Sequence, residues 1–264
     1  MREIKVSRIN VADQTTEQRT DYISEDTPIH IFLNKRHYGT ILCSPSQLEE
    51  LVVGHLLSEG LLTAIDEIDK LQLKKDGKCL ITLKPDIDAE QRISTSQRFA
   101  RLIVSSCGAP NYRPLSEIIA TLPKMDMTLI LSANVLSESV KQLNFSAEEF
   151  RKTGGVHVAA LYTADGKQVA LAEDVGRHNA VDKVIGAAAT KNMDFTKVFL
   201  ALSGRLTGDI VLKAARTKIS LISSLSAAIN SGLETAKLTK ITLVGFVRGK
   251  RMNVYTYPER IMFQ

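Results

Sequence analysis

Residues 197–246 read KVFLALSGRLTGDIVLKAARTKISLISSLSAAINSGLETAKLTKITLVGF. Three short apolar segments, at 197–202, 219–224 and 241–246, alternate in this stretch with two longer segments that have helical periodicity. Strands and helices that alternate at these lengths predict parallel strands joined by right-handed crossovers. We therefore predict a three-layer α/β domain, in which the crossover helices pack against a largely parallel sheet.

The first half of the chain has the pattern of a smaller α+β domain. Strand-like runs at 27–43 and 71–84 each enclose a polar turn, which predicts two β-hairpins. The polar segments 1–20 and 85–98 are expected to form a frayed terminus and a linker or loop.

SPSQLEELVVGHLLSEG, at 44–60, is the clearest local signal of this first half. It predicts a helix with Ser44 as its N-cap, Gln47 closing a capping box, and a left-handed Gly60 at its end. His55 falls beside the apolar side of that helix, where we interpret it as a packed side chain and not as a ligand.

Length and composition describe a globular protein of one large domain or two ordinary ones, and the change of pattern along the chain predicts two, at 1–123 and 124–264. The 264 residues are 44% hydrophobic and 24% charged, which excludes a disordered or coiled-coil protein. No apolar run approaches the roughly 20 residues that span a bilayer, and the first 20 residues contain no apolar signal segment. We therefore expect a cytoplasmic protein with no membrane partner.

The net charge is mildly basic. Thirty-four Lys and Arg against 29 Asp and Glu give +5 and a pI near 9.0. This excess suits a phosphate-bearing ligand but is well short of a nucleic-acid-binding surface, so no nucleic-acid partner is expected.

Polar residues follow each of the three predicted parallel strands. Ser203, Gly204 and Arg205 follow the first strand, Ser226 the second, and the segment 248–251 the third. Ligands of open parallel sheets bind outside the carboxyl ends of the strands, where glycine admits phosphate and arginine grips it. One polar loop would be ordinary surface, but three at one edge predict an anion-binding site.

EDVGRHN, at 173–179, is the densest polar cluster in the sequence. Capping of the helix that follows explains one acid or one Asn, but not Asp174, Arg177 and His178 together. A carboxylate here would accept both N–H donors of a guanine edge, and a histidine such as His178 is a residue type that can transfer protons. We favour a binding role over a structural one, and a structural one over proton transfer. His157 gains a role only if its strand lies beside this cluster.

Three cysteines do not make a disulfide framework in a chain of this length. Cys43 and Cys79 lie in strand-like segments and are expected to be buried small hydrophobes. Cys107 stands in a Gly/Pro loop with Arg101 and Arg113 nearby in sequence, a setting that favours a thiolate. The alternative interpretation is a loop cysteine without chemistry.

Several familiar motifs are absent. There is no GxGxxG, no GxxxxGK[ST] and no GxSxG, which argues against a nucleotide dehydrogenase, a P-loop enzyme and an α/β-hydrolase. No HxE is joined to a PCxxC, so a zinc deaminase would lack its ligands, and we expect no zinc.

Longer motifs of mixed chemistry carry a resemblance to a known family. They are GGVHVAAL (154–161), EDVGRHNAVDKVIG (173–186), SGR with DIVLKAAR (203–216), GFVRGKRMNVYTYPERI (245–261) and the helix SPSQLEELVVGHLLSEG. From about residue 27 to its end, the chain resembles the FdhD family of formate dehydrogenase accessory sulfurtransferases.

The resemblance implies a cytidine-deaminase-like α/β fold for the second domain. It also implies a function in sulfur transfer. Members take persulfide sulfur from a cysteine desulfurase and pass it to the molybdenum of the bis(molybdopterin guanine dinucleotide) cofactor, which formate dehydrogenase needs. The resemblance maps the sulfur-carrying cysteine onto Cys107. It maps a cofactor-binding segment onto six residues: Phe246, Val247, Arg248, Gly249, Lys250 and Arg251.

One departure from the family pattern keeps a second function open. Many members carry CxxC at the active loop, whereas this chain has CGAP with Pro110 in the fourth position. A single cysteine is sufficient to carry a persulfide, but a non-catalytic chaperone for the molybdenum cofactor is the alternative. A nucleotide-modifying hydrolase on the same fold is the third hypothesis. We expect a homodimer, because two-fold dimers are the commonest assemblies.

Overall fold

A computed structural model of the protein describes residues 1–100, 122, 125 and 128–263, with the backbone alone at 95–100. The helices are α1 (Leu48–Ser58), α2 (Ala89–Ala100), α3 (Ala133–Ser146), α4 (Glu148–Thr153), α5 (Arg177–Ala189), α6 (Gly208–Arg216) and α7 (Asn230–Thr239). The strands are β1 (Arg2–Asn10), β2 (Thr15–Ile23), β3 (Thr27–Leu33), β4 (Arg36–Cys43), β5 (Ile68–Leu73), β6 (Lys78–Leu83), β7 (Leu131–Ser132), β8 (His157–Thr163), β9 (Gln168–Asp174), β10 (Val198–Leu202), β11 (Leu221–Ser224), β12 (Thr242–Arg248), β13 (Arg251–Thr256) and β14 (Ile261–Met262).

The largest sheet has six strands in the order β13-β12-β11-β10-β8-β9. Its centre confirms the prediction, because β10, β11 and β12 run parallel and α6 and α7 connect them. The outer strands β8, β9 and β13 belong to antiparallel pairs, so the sheet as a whole is mixed. Short turns such as Asp165-Gly166 explain this, since only antiparallel strands can be joined by a tight turn.

Helices cover both faces of this sheet. Alternate residues of β8 and β10 point to opposite sides, so Leu161 and Leu200 share one core cluster with α5 and α6. Tyr162 and Phe199 share the other cluster with α3 and stack with ring centroids 5.6 Å apart. The strand interiors are therefore apolar on both faces, as in other sheets that are covered twice. A specifically cytidine-deaminase-like layering remains a prediction.

The predicted first half contributes a four-stranded sheet, ordered β4-β3-β6-β5, and the helix α1. Helix α1 crosses α5 at very short range, because a Cβ on Gly54 would lie 1.7 Å from the carbonyl oxygen of Asp182. Gly186 on α5 makes the reciprocal approach to Glu50. One hydrophobic cluster runs from this sheet through α1 into α5. The domain boundary at 123/124 falls on residues outside the described ranges and stays a prediction.

Two segments that were expected to lack regular structure are ordered. Residues 1–20 are not frayed but form most of the exposed hairpin β1–β2, which the backbone ladder holds with little burial. The predicted linker 85–98 contains the start of α2, and the carboxylate of Asp88 accepts the N–H of Gln91 there, as an N-cap does.

The predicted cap of α1 is wrong, although the helix and its left-handed end at Gly60 are confirmed. The helix begins at Leu48, and Gln47 has φ 53° and makes no side-chain cap. Ser44 has a different partner, because its hydroxyl accepts the N–H of Val175 at 3.1 Å. None of the described helices combines the length and the apolar character that crossing a membrane requires.

Candidate functional site

A cavity of about 340 Å³ opens where the parallel strands have their carboxyl ends. Ser203 follows β10, Leu225 and Ser226 follow β11, and Arg248 ends β12, so the three predicted loops do meet at one edge. The wall is completed from β8, β9 and α4. The lining residues are Phe150, Gly154, Gly155, Val156, His157, Val175, Ser203, Leu225, Ser226 and Arg248.

His157 lies beside the 173–179 cluster, which is the condition that the sequence set for a functional role of this residue. Strand β8 runs antiparallel to β9, and His157 is the register partner of Asp174. Its Nδ1 lies 3.4 Å from the hydroxyl of Ser203, which also accepts the N–H of Val158 at 3.0 Å. The start of β8 is thereby joined to the loop after β10.

Arg177 and His178 lie next to this pair, at the first turn of α5. Gly204 makes room for them, since a Cβ there would be 3.1 Å from the Cβ of Arg177 and 3.6 Å from His157 Nδ1. Arg177 Nε and His178 Nε2 are buried without a hydrogen-bond partner in the part of the chain that the structure describes. The nearest carboxylate to His178 is that of Asp209, with 3.6 Å between Nε2 and Oδ2. Buried donors without partners are rare in proteins, so these two nitrogens are candidates for contact with a ligand.

The surroundings of the cavity are electropositive. Burial lowers the pKa of His157, and the charges of Arg177, His178 and Arg205 lower it further. Four exposed cations have no carboxylate at ion-pair distance among the described residues: Arg205, Arg248, Lys250 and Arg251.

Residues 246–251 carry part of this positive charge, at a bulge near the end of β12. A bulge between Gly245 and Arg248 interrupts the β12–β13 ladder, and Phe246 adopts φ 51°, which is strained for a bulky residue. The bulge leaves Phe246 exposed, with the Arg248 guanidinium 5.7 Å from the centroid of its ring. Val247 points the other way, into the core, so its side chain is closed to a ligand.

Lys250 and Arg251 extend this segment beyond the cavity wall. Gly249 has φ 58°, as the turn between β12 and β13 requires, and the two cations follow it directly. They lie on exposed surface next to Arg248 in sequence, outside the set of residues that line the cavity.

Asp174 does not reach the cavity, although the sequence suggested that it reads guanine. Its side chain is fully buried, and Oδ1 accepts N–H groups from Gly176 and Asn179, both at 2.8 Å. Oδ2 accepts the N–H of Ser44 at 3.0 Å and pairs with Lys183 Nζ at 2.7 Å. With both oxygens occupied, the carboxylate has no acceptor position left for a base. We therefore omit Asp174 from the residues that we propose to bind ligand.

Cys43 and Cys79 are buried, as predicted. Burial raises the pKa of Cys43 to about 11 and that of Cys79 to about 12, so both are unreactive thiols at neutral pH. Cys107 lies outside the described residues, and its role remains a prediction. The expected absence of zinc is likewise untested.

The wall from α4 was missed by the sequence analysis. The carboxylate of Glu173 accepts the N–H groups of Glu149 and Phe150, at 3.2 and 2.6 Å, and so holds the start of α4 beside the cavity. The acid was visible in the 173–179 cluster, but its partners lie more than 20 residues away. No local pattern indicates such a contact.

Together these features define an α/β protein with an electropositive, small-molecule-sized cavity at the carboxyl edge of its main sheet. The model of the FdhD/NarQ family matches residues 24–262. The chain therefore belongs to the FdhD/NarQ family, as its motifs predicted.

Individual relatives agree with this assignment. The chain is 34% identical over 262 residues to the sulfur carrier protein FdhD of Sulfolobus acidocaldarius, covering 99% of this chain and 98% of that one. It is 33% identical over 261 residues to the protein of the same name in Methanothermobacter thermautotrophicus, with 99% and 98% covered. A crystal structure from Desulfotalea psychrophila, described as a presumed formate dehydrogenase accessory protein, has a TM-score of 0.78 at 27% identity over 98% of both chains.

Proposed function

We propose that this protein is a sulfur carrier with sulfurtransferase activity that serves formate dehydrogenase. It accepts persulfide sulfur from a cysteine desulfurase on Cys107 and passes it to the molybdenum of the bis(molybdopterin guanine dinucleotide) cofactor. The names of the relatives support a role in sulfur delivery. The observation that carries the proposal is the electropositive cavity at the sheet edge, in a chain of this family.

The first half of the reaction is a thiol–persulfide exchange. The Cys107 thiolate attacks the outer sulfur of the donor persulfide, a new S–S bond forms at Cys107, and the donor cysteine leaves as its thiolate. In the second half, the outer sulfur leaves Cys107 and takes two electrons, which a reduced molybdenum supplies. Cys107 then returns to the thiolate, so it acts as a carrier and is not consumed.

The residues at the cavity suit an anionic nucleotide as cargo. Arg205 and Arg248 have no carboxylate at ion-pair distance among the described residues, Lys250 and Arg251 lie on the surface beyond, and the buried Nε of Arg177 makes no hydrogen bond there. Phosphate groups satisfy such donors with charge-assisted hydrogen bonds. A volume of about 340 Å³ is near the lower end of ligand pockets, roughly 300 Å³. The cavity thus takes one nucleotide end of the cofactor, and the remainder lies over the exposed cations.

Intact-mass analysis tests the sulfur-carrier role. We expect incubation with a cysteine desulfurase and cysteine to add one sulfur atom, on the peptide that contains Cys107. Cys107→Ala should abolish this gain. Cys79→Ala is the matched control and should keep it, because the Cys79 thiol is buried and its pKa is raised. A persulfide that persists in Cys107→Ala would contradict the proposal.

The CGAP sequence at 107–110 favours one alternative, a chaperone that carries the cofactor without chemistry. The two functions separate when Cys107→Ala is assayed for activation of formate dehydrogenase. A sulfurtransferase loses activation while it still binds the cofactor, whereas a chaperone retains both.

A further inference from the structure

The hydroxyl of Ser203 sets the direction of a hydrogen bond inside the cavity. Its oxygen accepts the backbone N–H of Val158 at 3.0 Å, so its own proton needs a different partner. In the described part of the chain the acceptor available to it is Nδ1 of His157, at 3.4 Å. Donation from Ser203 to Nδ1 satisfies that proton within the protein and leaves the lone pair on Nδ1, whereas the opposite direction, which the same distance allows, leaves the hydroxyl proton without a described partner.

Donation from Ser203 would fix the tautomer of the imidazole. A neutral histidine that accepts at Nδ1 carries its proton on Nε2. The environment keeps the ring neutral, because burial lowers the pKa of His157 and Arg177, His178 and Arg205 lower it further, against a weaker opposite effect of Asp174. With Ser203 as the donor, the neutral ring of His157 presents one N–H group, at Nε2.

That N–H has no protein acceptor among the described residues, and the ring lines the cavity. The charges that act most strongly on His157 are cations, and the carboxylate of Asp174, which acts in the opposite direction, is fully engaged by other groups. A neutral donor suits this position, because it adds a hydrogen bond to an anion without adding repulsion to a site already crowded with positive charge.

We propose that His157 determines ligand binding in this cavity, by donating its Nε2–H to a phosphate oxygen of a bound nucleoside diphosphate. Ser203 is the positioning residue that holds the ring in the donating tautomer. The identity of the ligand rests on the proposed function, in which the cavity takes a nucleotide end of the cofactor. The donor geometry itself rests on the contacts of His157 and Ser203 alone.

Two amide substitutions test which ring nitrogen donates the hydrogen bond, and they distinguish donation from an effect of side-chain size. His157→Gln places an amide N–H near the position of Nε2, whereas His157→Asn places it near Nδ1. With GDP as the probe and isothermal titration calorimetry on the full chain, we expect His157→Asn to weaken binding about 10- to 100-fold. His157→Gln should stay within about 3-fold of the unsubstituted protein, since a comparable donor remains. Equal GDP affinities of the two variants, whether both are weakened or both are unchanged, would overturn the proposal.

The tautomer is measured independently of any variant. Nitrogen-15 NMR of the imidazole in the unsubstituted protein should show the proton of His157 on Nε2 at neutral pH. Ser203→Ala should shift the ring toward a mixture of tautomers and weaken GDP binding, while Ser203→Thr should retain both properties. A proton on Nδ1 in the unsubstituted protein would overturn the assignment even if every variant failed to fold.

These results also distinguish the inference from the proposed function. Sulfur loading of Cys107 without a difference between His157→Asn and His157→Gln would refute the role of His157 alone. The expected difference in GDP affinity between the two variants, without any sulfur on Cys107, would refute the sulfur-carrier role alone.

Discussion

Asp174 shows how the environment of a residue decides its role. An acid in a polar, glycine-containing loop has the chemistry to recognise guanine, and the sequence alone supports that interpretation. The fold instead surrounds the carboxylate with N–H donors and the buried ammonium of Lys183. Its role is to join the Ser44 loop to the start of α5, behind the cavity wall.

The buried pair predicts the effect of removing its charge. Asp174→Asn leaves the Lys183 ammonium without a counter-charge in the core, and we expect a loss of about 3–5 kcal/mol in the free energy of unfolding. Adding Lys183→Met should restore part of that stability, since the unpaired charge is gone. Urea unfolding measures both effects. Folded Asp174→Asn protein should keep the ratio of GDP to IDP affinity, and a selective loss of GDP binding would return Asp174 to the ligand site.

At the level of elements, the contact that organises the molecule is the crossing of α1 and α5. Both helices approach through glycine, and the backbone of each lies where a side chain of the other would be. The pattern of 44–60 predicted a helix with one apolar side but not the partner of that side. The half-buried His55, interpreted as a packed side chain, pairs with Asp182 of α5 at 3.1 Å, which confirms that interpretation.

This crossing predicts a strongly destabilising substitution. In Gly54→Ala the new methyl group would lie 1.7 Å from the Asp182 carbonyl oxygen, so the helices must separate. We expect a loss of at least about 1–3 kcal/mol by urea unfolding. Gly39→Ala is the matched control, because no atom lies within 4 Å of its added Cβ. Similar urea midpoints for Gly54→Ala and Gly39→Ala would contradict the close crossing of α1 and α5.

At the scale of the whole molecule, a buried ionic network connects the two predicted domains. Lys213 of α6 contacts Asp182 of α5 at 2.9 Å and Glu59, just after α1, at 2.7 Å. Arg216 reaches the same Glu59 at 3.4 Å. Burial alone would raise the pKa of Glu59, but Lys213, His55 and Arg216 lower it from 4.5 to about 2.

The depressed pKa sets the pH range in which Glu59 stabilises the fold. Its contribution is present above pH 4.5, where the unfolded carboxyl is ionised, and is lost as the pH falls toward about 2. Glu59→Gln should cost roughly 3 kcal/mol or less at pH 7, and the difference should vanish near pH 2. Thermal unfolding across this range measures it. Glu138→Gln, in an exposed pair, is the control with little expected change. A loss of stability in Glu59→Gln that does not change with pH would refute the lowered pKa of Glu59.

Local patterns determined most of the secondary structure and the location of the site. Apolar runs and crossover spacing predicted the parallel core, and the residues after β10, β11 and β12 predicted the edge at which the cavity opens. The α2 helix and the β1–β2 hairpin were missed because their sequences are polar and contain few apolar residues.

The sequence by itself determined the family, most of the elements and the sheet edge at which the cavity opens, because these depend on residue order and periodicity. Only the tertiary structure decided which polar residues face the cavity. Asp174 and His157 are register partners on adjacent strands, yet one is buried among donors and the other lines the open space. That difference arises from contacts between distant parts of the chain, such as Ser44 with Asp174 and Ser203 with His157, which no local pattern encodes.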